Sequence, residues 1–106
     1  MSEYLADVKK YAPGADEAAV TGIENYLGKG LLSQRDASMV ACSDADELKR
    51  IRENFCKKKL GLSHSDDEID AVLQSVCEQM KVDSSKSRVT FYYLVAEKTG
   101  TLGKVT

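Results

Sequence analysis

The sequence predicts an all-α fold, one compact domain of about five to six helices. Three observations point there. Its 106 residues contain a single proline, Pro13, so the frequent turn signals of a sandwich of short strands are missing. Apolar residues recur at three- and four-residue spacing through most of the chain, which suits helices. The one segment with strand propensity, Arg88 to Thr99, has no second strand to pair with, and a lone strand is not stable.

The first helix is expected from Ser2-Glu3 onward, with Tyr4, Leu5, Val8, Tyr11 and Ala12 as its apolar side, and Pro13-Gly14 stops it. Asp16 then caps a second helix whose stripe is Val20, Ile23 and Leu27. Gly22 inside it costs up to about 1 kcal/mol against alanine, which a close helix contact would explain. GKGLLSQRD lacks the G-x-x-x-x-G-K-[ST] pattern and a preceding strand, so it is no phosphate loop, and Leu31 and Leu32 are expected to plug the core. Residues Asp36 to Ala41 are expected to make a turn or two of helix with Met39 and Val40 inward.

Ser43 is the expected start of the best-specified helix. Asp44, Asp46 and Glu47 sit in its positive first turn, and Lys57, Lys58 and Lys59 in its negative last turn. Leu48, Ile51, Phe55 and Leu60 form its buried stripe, with Cys56 beside it, and Gly61 ends it. Ser65-Asp66-Asp67-Glu68 is a capping box opening a helix with Ile69, Val72, Leu73, Val76 and Met80 inward and Cys77 on the flank. Residues 88–99, apolar nearly all round as a helix, read as a central one ending near Gly100. The ordered core is expected over 3–99, with 100–106 as a loose tail.

This length suits one domain that buries on the order of 65% of its unfolded surface without staples. A composition 42% hydrophobic and 30% charged is that of an ordinary globular chain. The net charge of −2 argues for neither nucleic acid nor membrane. Its distribution is uneven, at −5 over 1–47, +5 over 48–60, −5 over 61–85 and +3 over 86–106. That alternation favours segments that attract one another on folding over a basic binding patch. No stretch approaches the roughly 18 apolar residues of a membrane span, and MSEYLADVKKY is charged from its third residue, so no leader is expected. Three cysteines without C-x-x-C spacing point to reduced thiols in a cytoplasm rather than a secreted disulfide framework.

Candidate chemistry is sparse. His64 stands in a connecting loop with no partner at a recognisable spacing, so an exposed loop histidine outranks a catalytic base. Cys42, Cys56, Cys77 and His64 have gaps of 13 and 20 residues between the cysteines, unlike a structural zinc site, and no metal or other cofactor is expected. Cys42 is the candidate reactive thiol, because it precedes a helix N-terminus where a thiolate is favoured. Lys49, Arg52, Lys57, Lys58 and Lys59 are the candidate basic face for phosphates. On an α-helix Lys49, Arg52 and Lys59 lie close in angle while Lys57 and Lys58 diverge, so a solvated face outranks nucleic-acid binding. Asp66-Asp67-Glu68-Asp70 lacks a calcium-loop pattern and has a sufficient reason at a helix start.

DASMVACSDADELKRIRENFCKKKLGL, the later DEIDAVLQSVCEQM helix and FYYL at Phe91 to Leu94 carry a resemblance. From about Tyr4 to Thr99 the chain resembles a small bacterial family, domain of unknown function 2853. The resemblance implies a compact all-helical domain with no established activity, and it brings no catalytic or ligand-binding residues. The leading reading is a small cytoplasmic helical protein that is not an enzyme and acts through contacts with a protein partner or a second copy of itself. The alternatives are a nucleic-acid-associated domain using the Lys49–Lys59 face, and a redox or small-ligand-binding protein centred on Cys42.

Overall fold

Helix α6, Arg88–Lys98, runs through the middle of the molecule, and every residue from Arg88 to Ala96 is buried. This is the outcome expected for a helix apolar on nearly all sides. The computed structural model describes residues 3–34 and 37–106. The Ser2 start of the first expected helix and Asp36 lie outside them. Around α6 pack α1 (Glu3–Lys9), α2 (Glu17–Leu27) and α5 (Asp66–Gln79). A one-turn α3 (Lys29–Leu32) follows α2, and α4 (Ala45–Arg50) continues without a break into a π-helix over Ile51–Lys59.

Local chemistry accounts for the helix starts. The Asp16 carboxylate accepts from the Ala18 N–H at 2.9 Å. The Ser65 capping box forms in both directions: the Ser65 hydroxyl accepts from the Glu68 N–H at 3.2 Å, and the Glu68 carboxylate accepts from the Ser65 N–H at 3.0 Å. The cap of α4 is Asp44 and not Ser43. Its carboxylate accepts from the N–H groups of Asp46 and Glu47 at 3.0 and 3.3 Å, and it adds a negative charge where the helix dipole favours one.

Two segments between α3 and α5 differ from expectation in their secondary structure. Met39–Val40 is not helical; it forms strand β1, antiparallel to β2 at Lys86–Ser87, with Met39 opposite Ser87 and Val40 opposite Lys86. The partner strand hides in the polar run before α6, which has no strand propensity of its own. The expected α-helix from Ser43 to Leu60 is π-helical in its second half: the Leu60 N–H reaches the carbonyl of Phe55, five residues back, at 2.8 Å. Gly61 ends it at φ +68°, as its place after the last turn predicts.

The last residues, expected as a loose tail, fold back onto α2 through a 3₁₀ turn at Leu102–Lys104, and Val105 is only 3% exposed. A Cβ on Gly22 would lie 1.4 Å from the Val105 carbonyl oxygen, so the close approach that Gly22 called for is with the chain end. Gly22→Ala should therefore destabilise by roughly 0.5–2 kcal/mol in urea unfolding. It forfeits the burial of Val105, worth about 1.5–3 kcal/mol, against a helix-propensity gain of about 1 kcal/mol. In a chain cut after Thr101 the same substitution should become stabilising. A stabilised full-length Gly22→Ala would mean that the tail does not rest there.

Polar side chains join the layers. The Tyr93 hydroxyl accepts from the Asp16 N–H at 2.9 Å, fixing α6 to the start of α2. The Thr90 hydroxyl donates to Asp7 and the Tyr11 hydroxyl to Asp83, which ties α1 to α6 and to the loop after α5. Burial and the neighbouring Asp83 push the Tyr11 phenol up to about 12.

Candidate functional site

The π-helix decides which side chains meet. A turn wider than that of an α-helix brings residues i, i+4 and i+5 onto one side. Inward, this groups Ile51, Phe55, Cys56 and Leu60, all essentially without exposure. Outward, it groups Asn54, Lys58 and Lys59, which line an open cavity of about 570 Å³ together with Tyr26 of α2. Tyr26 and Asn54 also border a second cavity of about 430 Å³, walled by Leu27, Leu31 and Ile51, with Glu47, Arg50 and Arg88 among its polar groups. Sharing two residues, the cavities form one groove between α2 and the π-helix.

Its floor is a buried ion pair. Arg88 and Glu47 are each 9% exposed and hydrogen-bonded to each other through Arg88 Nη2 and Glu47 Oε1. The guanidinium also donates to the carbonyls of Ala37 at 2.6 Å and Met39 at 3.0 Å, and to the Tyr92 hydroxyl at 3.2 Å. Burial alone would pull the Arg88 pKa down, but Tyr92 and Glu47 outweigh it and hold it above its ordinary value. Burial pushes the Tyr92 phenol up. Arg50 Nη1 stands 3.7 Å from Glu47 Oε2, so two cations share one carboxylate.

From this floor an aromatic run leads outward. Tyr92 stacks on Phe55 with ring centroids 4.2 Å apart, and Phe55 meets Tyr26 at 5.7 Å. Tyr26 is 41% exposed, and the Lys59 ammonium sits 5.5 Å from its ring centroid.

The structure divides the candidate basic face. Arg52 is held by Glu53 at 2.8 Å and Asp70 at 3.0 Å, with Asp66 at 3.7 Å. Lys57 pairs with Glu53 at 3.1 Å and with Asp66. These contacts raise the pKa of both cations and lower those of Glu53 and Asp66. The segment charges of opposite sign thus meet between the π-helix and the start of α5. Lys49 lies elsewhere, in a cavity with Arg52, Asp70 and Gln74. Lys58 and Lys59, which an α-helix would turn about 100° apart, are the two that face the groove.

Cys42 is not a free thiol in this structure. It is bonded to Cys77 of α5 across a Cα–Cα distance of 6.0 Å, which corrects the expectation of three reduced cysteines. The 35-residue separation and the flank position of Cys77 gave no hint of that proximity. Cys42 lines a cavity of about 630 Å³ with Met39, Ser43 and Lys86, whereas Cys77 is buried. A thiolate attacking Cys42 would have to expel the buried Cys77 sulfur near the C-terminal end of α5, where a negative charge is disfavoured. The geometry is that of a structural bridge. Cys56 remains a thiol, and burial pushes it up to about 12, so it is inert at neutral pH. His64 is exposed in its loop. Among the described residues no group of three His, Cys, Asp or Glu side chains gathers to hold a metal ion, and no helix is long and apolar enough to cross a membrane.

Fold and groove together define a small helical domain built around one central helix, with a cationic, aromatic-walled groove on one side. The chain belongs to the family described as protein of unknown function DUF2853, whose pattern it matches over residues 3–103. No curated protein matches it.

Proposed function

We propose that this domain is a binding module whose groove between α2 and the π-helix takes an anionic ligand. The observation that carries the reading is the charge of the lining: Arg50, Lys58, Lys59 and Arg88 against the single carboxylate of Glu47. A concave wall with that imbalance focuses a positive potential. The groups suit holding more than proton transfer. Guanidinium and ammonium groups offer donors and positive charge, and the one carboxylate, Glu47, is engaged by two arginines.

Association with a protein partner or a second copy has less support on this surface. Among the described residues the exposed large apolar side chains are Tyr26 and Val82, and Tyr26 belongs to the groove.

Pyrophosphate, titrated at low salt and followed by amide NMR, tests the reading. Saturable shifts are expected at Asn54, Lys58 and Lys59, with affinity falling about tenfold or more in Lys58→Glu/Lys59→Glu and falling with salt. Lys104→Glu, outside the groove, should leave binding unchanged. A non-saturating response that the groove variants share with the wild type would overturn it.

A further inference from the structure

We infer that the ligand of this groove is a nucleotide, with its base in the inner cavity and its phosphate at Lys58 and Lys59. The inference rests on the anion-binding reading and adds the part of the ligand that is not anionic. The two halves of the groove ask for different chemistry. The outer half offers two ammonium groups, an amide and an aromatic face, and is open to water. The inner half, about 430 Å³, is walled by Leu27, Leu31, Ile51 and the tyrosines Tyr26 and Tyr92. A bare phosphate would leave those apolar walls unused. A plain hydrocarbon would leave the Asn54 amide unused and the Arg50 guanidinium with only its 3.7 Å contact to Glu47. A flat heterocycle satisfies both, because its faces are apolar and its edge carries donors and acceptors.

The spatial order is that of a nucleotide. Tyr26 and Asn54 belong to both halves, so they stand where base and phosphate would be joined. Asn54 provides a donor and an acceptor for a ring edge, whichever base is present. Tyr26 is exposed and buttressed from behind by Phe55, so its ring is held in place before any ligand arrives. Lys59 already sits over that ring, and Lys58 lies beside it on the wide π-turn. Both ammonium groups are therefore within reach of an anion attached to a ring lying against Tyr26. The same recognition would serve a free nucleotide or one unit of a single strand.

Calorimetric titration of the intact chain separates these elements. The probes are AMP, GMP, CMP and UMP, the four matching nucleosides, inorganic phosphate, and a short uridine oligomer. At least one mononucleotide should bind about tenfold tighter than both its nucleoside and inorganic phosphate. Tyr26→Ala should remove that advantage, and Tyr26→Phe should retain it. Lys58→Glu/Lys59→Glu should weaken nucleotide and phosphate alike. An oligomer that binds more tightly per site than UMP would support the strand as the source, and equal affinity the free nucleotide. If phosphate binds as well as every nucleotide, the nucleotide inference is overturned while the anion-binding reading stands. If no probe binds, both fall.

Discussion

Arg88→Met is expected to destabilise the domain by about 3–5 kcal/mol, read as a lowered midpoint in urea unfolding. The substitution keeps most of the buried stem and deletes the charge. It leaves the Glu47 carboxylate buried with only the distant Arg50 guanidinium, and it takes a donor from the carbonyls of Ala37 and Met39. Those carbonyls precede and begin β1, so the loss extends to the segment that leads into Cys42 and α4. Adding Glu47→Leu should recover more than half of the loss, because a buried pair costs most when one partner is removed. A loss below about 1 kcal/mol for the single variant would mean that the pair is hydrated and does not anchor the groove floor. Arg88 also separates floor from rim: its loss should weaken ligand binding through unfolding, whereas Lys58→Glu/Lys59→Glu should weaken it at unchanged stability.

The fold was legible where one turn of backbone specifies itself. Ser65 and Glu68 announce their capping box in four residues, and the all-round apolarity of α6 announces its central place. What stayed hidden depends on partners distant in sequence. Lys86–Ser87 becomes a strand only because Met39–Val40 lies beside it, and Val105 is ordered only because Gly22 leaves room for its carbonyl.

The π-helix had a signal that a 3.6-residue period passes over: Ile51, Phe55, Cys56 and Leu60 recur at four, one and four residues, closer to two wide turns than to an α-helical stripe. Taken as α-helical, the segment sets Lys58 apart from Lys59, and so the groove could not be foreseen. Arg88 gave no sign of its role. It stands at the head of an apolar run, where a surface position was the natural expectation for an arginine. Its partner Glu47 was explained by the helix dipole alone.

Breaking the Cys42–Cys77 bridge is the other change with a large expected effect. The bond closes a loop of 35 residues in sequence separation, and chain-entropy arguments give about 4 kcal/mol for a loop of that size, with about 2–4 kcal/mol typical in practice. Cys42→Ser/Cys77→Ser should lower the unfolding midpoint by that amount, and so should a thiol reductant acting on the wild type. The reductant should have no effect on the double variant, since Cys56 is a lone buried thiol. The bridge holds the loop ahead of α4 to α5, the helix whose Asp66 and Asp70 already receive Arg52 from the π-helix. Its loss should accordingly loosen the 41–44 loop first, seen as faster amide hydrogen exchange there, while exchange in α6 follows global stability. Equal stability of oxidised and reduced wild type would show that the two sulfurs are held together by the surrounding fold, and that the covalent bond adds nothing to it.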